Sequence, residues 1–305
     1  MQFHHRDVIA INDFTRQELL HVLQHASNLK RKKRANLLNG SLLGSCFFEP
    51  STRTRLSFES AMHRLGGNVI GFSESSSIST KKGESLYDSM KMIENYADIA
   101  VIRHPLEGAA QYAADSISIP VINAGDGSNQ HPTQTLLDLF TIQECQGTLD
   151  QLHIGMAGDL KYGRTVHSLT QALIHFHPRL YFISQSSLEI PKEICDLLKE
   201  QGIKFSFHQT IEEVISKLDI LYMTRIQEER FPHQIEFERV KNSYILKTDH
   251  LKKVKESFKI FHPLPRVNEI DRNVDDTPYA HYFEQAKNGL YVRQALLGLL
   301  LGALK

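Results

Sequence analysis

Short apolar runs alternate with helical patterns along this chain, and the alternation stops once and then restarts. The first series has strand-like runs at 42–48, 68–72, 99–102 and 121–122, with helical patterns at 55–65, 84–96 and 106–114. A strand returning parallel to its neighbour needs a crossover, and a helix is the compact one. A helix then opens at Pro132, a favoured first-turn residue, and runs to about residue 145 before Gly147. The second series follows, with runs at 152–157, 180–183, 203–207, 220–224 and 260–262 and helices at 165–176, 191–201 and 211–218. This pattern predicts an α/β chain of two doubly wound parallel-sheet domains linked by long helices. The apolar segment 289–301, with Leu290, Val292, Ala295, Leu296, Leu299 and Leu300, needs burial and is expected to pack back on the first domain. The expected division is 1–131 together with 289–305, and 132–288.

Composition narrows the function classes. The 305 residues carry 35 basic and 35 acidic side chains, a formal net charge of +0. That balance argues against a surface built for nucleic acid or an anionic membrane. The basic run Lys30-Arg31-Lys32-Lys33-Arg34 closes a helix that opens at the capping box of Thr15 and Glu18, so it reads as a solvated helix end. No stretch reaches 18 uninterrupted apolar residues, and Met1-Gln2-Phe3-His4-His5 lacks an apolar signal core, so a cytoplasmic protein is the expectation. Cys46, Cys145 and Cys195 are three and form no CxxC pair, which disfavours a disulfide framework or a structural zinc site.

Ligands of open parallel sheets bind beyond the carboxyl ends of the strands, and that is where polar chemistry collects here. Ser51-Thr52-Arg53-Thr54-Arg55 follows the first strand and opens a helix. Unpaired N–H groups and the helix dipole favour an anion there, and hydroxyls with forked guanidiniums suit phosphate oxygens. Arg103-His104-Pro105 follows the run at 99–102, and His131-Pro132-Thr133-Gln134 follows Gly125-Asp126-Gly127-Ser128. Arg164 follows the turn around Gly158-Asp159, Arg225 and Gln227 follow the run at 220–224, and His262-Pro263-Leu264-Pro265-Arg266 follows the last. Taken singly, each is an ordinary helix start or surface residue. Together they gather positive charge in a chain with no net charge, as a binding site for anions requires. The Ser-rich segment 73–83 reads either as a plain loop or as a lid bringing Ser79 and Lys82 to an anion. The Gly158 turn lacks GxGxxG and a following acidic ribose ligand, which disfavours a nicotinamide-binding dehydrogenase.

The three segments beginning at Ser51, His131 and His262 resemble, in order and spacing, the signature regions of the aspartate/ornithine carbamoyltransferase family. His-Pro-Leu-Pro-Arg resembles the aspartate branch; the ornithine branch has a His-Cys-Leu-Pro pattern at this place. The resemblance implies transfer of a carbamoyl group from carbamoyl phosphate to L-aspartate, an early step of pyrimidine synthesis, without cofactor or metal. It implies that Ser51, Thr52, Arg53 and Thr54 hold phosphate, that Arg103 bridges phosphate and carbonyl, and that His131 and Thr54 donate to that carbonyl. Gln134 and the segment Pro263, Leu264, Pro265 would orient the carbamoyl nitrogen. Arg164 and Arg225, helped by Gln227, would clamp the aspartate carboxylates. Ser79 and Lys82 would come from a neighbouring chain, making a homotrimer with shared sites. Some family members also join two trimers through zinc-bearing regulatory chains. A cis peptide at Leu264-Pro265 is a further expectation. The alternatives are a carbamoyltransferase for another amine and a non-catalytic homologue serving as scaffold.

Overall fold

The computed structural model describes residues 2–32, 34–73, 83–226 and 244–305. It divides into two compact units, one formed by residues 1–140 and 288–305 and the other by residues 141–287.

In the first unit, helix α1 (Arg16–Arg31) begins at the Thr15 cap, whose hydroxyl accepts from the Glu18 N–H while Glu18 returns to the Thr15 N–H. Leu19, Val22, Leu23, Ala26 and Leu29 are its buried face. Then come β1 (Leu42–Phe47), α2 (Thr52–Arg64), β2 (Asn68–Phe72), α3 (Leu86–Tyr96), β3 (Ile99–His104), α4 (Ala109–Ser116), β4 (Val121–Asp126) and α5 (Pro132–Gln146). The four strands are parallel in the order β2-β1-β3-β4, with Cys46 opposite Ile102 and Ile102 opposite Asn123. Strands β1, β3 and β4 are buried nearly throughout, as runs lacking polar alternation require. Helix α5 is buried from Pro132 to Ile142 although it carries Thr133, Gln134, Thr135, Asp138 and Thr141. Those polar groups must find partners inside the protein.

In the second unit, β5 (His153–Ala157), α6 (Arg164–Leu173), β6 (Arg179–Ile183), α7 (Lys192–Glu200), β7 (Lys204–His208), β8 (Ile220–Met223) and β9 (Lys259–Phe261) build a parallel sheet in the order β7-β6-β5-β8-β9. Its core includes Ile183, Leu218, Leu221, Met223, Phe258, Ile260 and Tyr282. Helix α8 (Tyr282–Leu300) begins in this unit, and its stretch from Asn288 onward belongs to the first. Both sheets are parallel and flanked by helices, as the alternation predicts.

Three elements differ from the sequence reading. Helix α2 starts at Thr52, not 55, so the hydroxyl and guanidinium cluster lies inside the first turn. Helix α8 starts seven residues before Gly289. The segment 211–218 forms only a 3₁₀ turn, Ile215–Lys217. It is too short to recover the nucleation cost of an α-helix, and its β-branched Ile211, Val214 and Ile215 go directly into the core.

Candidate active site

In each sheet the chain steps outward in one direction and then returns to the other side of its first strand. The reversal falls between β1 and β3 in the first unit and between β5 and β8 in the second. At such a point two loops leave a pair of neighbouring strands in opposite directions and open a crevice.

At the first crevice, Ser51 is the N-cap of α2 in extended conformation, and its side chain makes no capping hydrogen bond. Thr52 and Arg53 are exposed in the first helical turn, while Thr54 is buried. Arg103 stands at the end of β3, opposite Phe47. Its Nη1 donates to the Ala124 carbonyl at 3.2 Å, and its Nη2 lies 3.1 Å from the Glu49 carboxylate. The guanidinium is thus aimed by backbone on one side and by an acid on the other.

His131 is delivered from the end of β4 by a turn organised around Asp126. That buried carboxylate accepts from the N–H groups of Gly108 (2.9 Å) and Gln130 (3.1 Å) and from the side-chain amides of Asn123 (2.9 Å) and Asn129 (3.0 Å). The His131 carbonyl accepts from Gln134 N–H and Thr135 N–H at the start of α5. His131 as a whole is 5% exposed. One turn along, the Gln134 amide nitrogen donates to Asp138 at 2.8 Å, both side chains being buried. This fixes the orientation of the amide, so Oε1 is the end presented as an acceptor.

The second unit repeats the arrangement with different groups. Arg164 is the first residue of α6, after the loop leaving β5. Asp159 shapes that loop by accepting from Tyr162 N–H at 2.9 Å. Gly158 has φ +113°, and a Cβ there would overlap the Thr224 carbonyl, so glycine lets the ends of β5 and β8 close up. Thr224 holds the Ala157 carbonyl through both its N–H (2.9 Å) and its hydroxyl (3.1 Å). This sets Arg225 next to the end of β5, half-buried.

The segment after β9 is held most tightly. The Leu264-Pro265 bond is cis, as the resemblance implies. His262 is 1% exposed. Its Nδ1 accepts from Leu264 N–H at 2.8 Å and its Nε2 lies 2.6 Å from Glu269. An Nδ1 that accepts carries no proton, so the ring is neutral and Nε2–H donates to the carboxylate. The other oxygen of Glu269 accepts from the N–H groups of Val267 and Asn268, each at 3.0 Å. Burial pushes the Glu269 carboxyl up, but the hydrogen bond from His262 and those from the backbone amides outweigh it, and it stays below the ordinary carboxylate range. Arg266 turns away to pair with both oxygens of Asp275 and with the Tyr282 hydroxyl, anchoring the loop to the start of α8.

The structure therefore places Ser51, Thr52, Arg53, Thr54, Arg103, His131 and Gln134 at the ends of three adjacent strands of one sheet. Arg164, Arg225, Pro263, Leu264 and Pro265 lie at the ends of three adjacent strands of the other. Ser79, Lys82 and Gln227 lie outside the described residues. Sequence reasoning missed the roles of Asp126, Asp138 and Glu269, which hold the turn before His131, the Gln134 amide and the loop at His262. Among the described residues, no group of three or more His, Cys, Asp or Glu is arranged to hold a metal ion, and no helix is long and apolar enough to cross a membrane.

Comparison with known proteins gives this architecture a family. Residues 6–144 match the carbamoyl-phosphate-binding domain of aspartate/ornithine carbamoyltransferases, and residues 150–300 match the Asp/Orn-binding domain. The aspartate carbamoyltransferase catalytic subunit of Chromobacterium violaceum is 56% identical over 97% of this chain and 98% of its own. The catalytic subunit of M. jannaschii aspartate transcarbamoylase superposes with a TM-score of 0.91 at 49% identity, covering 97% of this chain and 98% of its own. The Trypanosoma cruzi enzyme in complex with carbamoyl phosphate and aspartate superposes with a TM-score of 0.93 at 34% identity, covering 98% of both chains. With both family domains matched in order along its length, the chain belongs to the aspartate/ornithine carbamoyltransferase family.

Proposed function

We propose that this chain condenses carbamoyl phosphate with L-aspartate to give N-carbamoyl-L-aspartate and inorganic phosphate, an early committed step of pyrimidine synthesis. The observation that carries the reading is that each unit has its own arginine-bearing switch point, one with a helix N-terminus and one with Arg164 and Arg225. A phosphate donor suits the first, and an acceptor with two carboxylates suits the second. Ornithine would need acidic partners for a second ammonium, and Arg225 is of the wrong sign for that.

Carbamoyl phosphate is a mixed anhydride with a good leaving group, so no covalent enzyme intermediate is required. In this reading Ser51, Thr52, Arg53 and Thr54 neutralise the phosphate, and Arg103 bridges it to the carbonyl oxygen. Thr54, Arg103 and His131 donate to that oxygen as charge builds on it during amine attack; one such donor contributes about 3 kcal/mol in the transition state. Gln134 Oε1 and the carbonyls of Pro263 and Leu264 accept from the carbamoyl nitrogen. Arg164 and Arg225, with Gln227, hold aspartate so that its amine faces the carbonyl carbon; orientation of two bound reactants contributes roughly 7–11 kcal/mol. The departing phosphate accepts the amine proton, leaving His131 a neutral donor. The reading includes a cytoplasmic homotrimer in which Ser79 and Lys82 of a neighbouring chain complete each site.

The test is a carbamoyl-aspartate assay on purified wild type and Arg53→Ala, with aspartate and ornithine as competing acceptors. Turnover with aspartate alone, lost in Arg53→Ala, supports the reaction and the phosphate cradle. Turnover with ornithine overturns the acceptor assignment, and no turnover with any acceptor favours a non-catalytic scaffold.

A further inference from the structure

Helix α8 carries a buried arginine in a stretch otherwise rich in Leu, Val and Ala. Arg293 is 3% exposed. Its Nη1 donates to the Ser57 hydroxyl on α2 at 2.9 Å, and its Nη2 reaches the Thr133 hydroxyl on α5 at 3.5 Å. The guanidinium carbon lies 5.0 Å from the centre of the Phe58 ring. Burial lowers its pKa to about 10, and the charge of Asp138 opposes that shift. These partners all belong to the first unit.

The two helices that Arg293 joins are the two that present the donor site. Ser57 is one turn beyond the Ser51–Thr54 cradle on α2. Thr133 lies between His131 and Gln134, and Asp138, whose charge answers the guanidinium, is the acceptor that fixes the Gln134 amide. Helix α8 is shaped to admit the guanidinium. Gly289 sits inside it one turn before Arg293, where alanine would favour the helix by roughly 1 kcal/mol. A Cβ at that position would overlap Nη1 of Arg293 and come within 3.0 Å of Leu137. A buried cation with a glycine kept open beside it is costly to the fold unless it does something there.

We infer that Arg293 is a positioning residue for the carbamoyl-phosphate site, locking the N-termini of α2 and α5 at the spacing at which the cradle, His131 and Gln134 act on one ligand. It touches no reactant and acts through Ser57, Thr133 and the Asp138–Gln134 pair. The inference rests on the proposed reaction and deepens it. Lysine keeps the charge but cannot fork to two hydroxyls on separate helices. Alanine at 289 displaces the guanidinium without removing it.

The experiment measures steady-state kinetics of wild type, Arg293→Lys and Gly289→Ala, varying each substrate with the other saturating, alongside circular dichroism. The expected result is a rise of about tenfold or more in KM for carbamoyl phosphate, with a fall in kcat, in Arg293→Lys. Gly289→Ala should shift the same constants in the same direction, and KM for aspartate should stay within about twofold in both. Wild-type constants in both variants overturn the inference. So does loss of thermal stability with unchanged constants, or an equal rise in both KM values, since either marks a merely structural role. Absence of wild-type turnover refutes the proposed reaction instead, and is seen before any variant is made.

Discussion

Replacing Glu269 with glutamine should disable the loop after β9 while leaving its shape almost unchanged. The carboxylate receives three donors: His262 Nε2 at 2.6 Å and the N–H groups of Val267 and Asn268 at 3.0 Å. Glutamine supplies one acceptor oxygen and one NH₂. If the oxygen faces His262, the NH₂ opposes two backbone N–H groups. If it faces the backbone, the NH₂ opposes Nε2–H. The ring can then answer only by moving its proton to Nδ1, where it meets Leu264 N–H. Either arrangement loses at least one charge-assisted bond and leaves a buried donor unmatched, about 2–5 kcal/mol. For a protein of this size that is a fall of roughly 3–8 °C in Tm. A displaced Pro263-Leu264 segment should cost roughly 100-fold in kcat/KM, the usual penalty for a misplacement near 1 Å. The pH dependence gives a second readout. The native Glu269 carboxyl lies below its ordinary value of 4.5, so its stabilisation is present above that pH and is lost as pH falls through the lowered native value. The Tm gap between wild type and Glu269→Gln should therefore be full at pH 7 and close in acid. Carbamoyl-aspartate formation and thermal denaturation from pH 7 to pH 3.5 measure both. A variant within twofold of wild-type kcat/KM, or a gap that does not change with pH, would refute the reasoning.

Two further predictions concern the first unit and the thiols. The His21 ring stacks on Phe3 at 5.7 Å and meets His25 edge-on at 4.6 Å, and burial holds both below the ordinary 6.5. Depressed histidines favour the neutral fold, so stability should be complete above about pH 7 and decline as pH falls through 6.5 and below. The Tm of His21→Gln should decline less over this range, and parallel curves would contradict the assignment. Burial lifts Cys46 to about 12 and Cys145 to about 11, and raises Cys195 as well. A disulfide reagent at pH 8 should find no thiol in the folded protein and three in urea; one fast equivalent in the native state would show an accessible thiolate.

Much of this architecture is written locally. The apolar runs and the helical periods between them need only nearest neighbours, and they locate the strands of both sheets. The motifs at Ser51 and His131 are legible for the same reason, since each combines a helix start with polar groups within four residues. What escaped is long-range. Arg293 reads as a polar residue beside Gln294 in a largely apolar stretch until Ser57 and Thr133, 236 and 160 positions away, close around it. A signal was present in Gly289, a glycine inside a strong helix one turn before an arginine. Glu269 stands seven residues after His262, within reach only because the loop doubles back. Residues 211–218 read as a helix in sequence because periodicity in eight residues cannot separate a helix from a turn that dips into the core.

The first unit is discontinuous: residues 288–305 complete it, with His5 N–H donating to the Leu300 carbonyl at 3.1 Å and Lys30 to Asn288 at 2.9 Å. A chain made on the ribosome emerges in order, and domains form as their last segments become available. Residues 141–287 are contiguous, so that unit can bury its core while synthesis continues. The unit begun first is finished last. Until α8 emerges, the helix faces it will cover stay exposed to water and to other nascent chains. Residues 288–305 therefore act as the closing stave of the half that was started first, and chaperone engagement during synthesis should concentrate in the interval before they arrive.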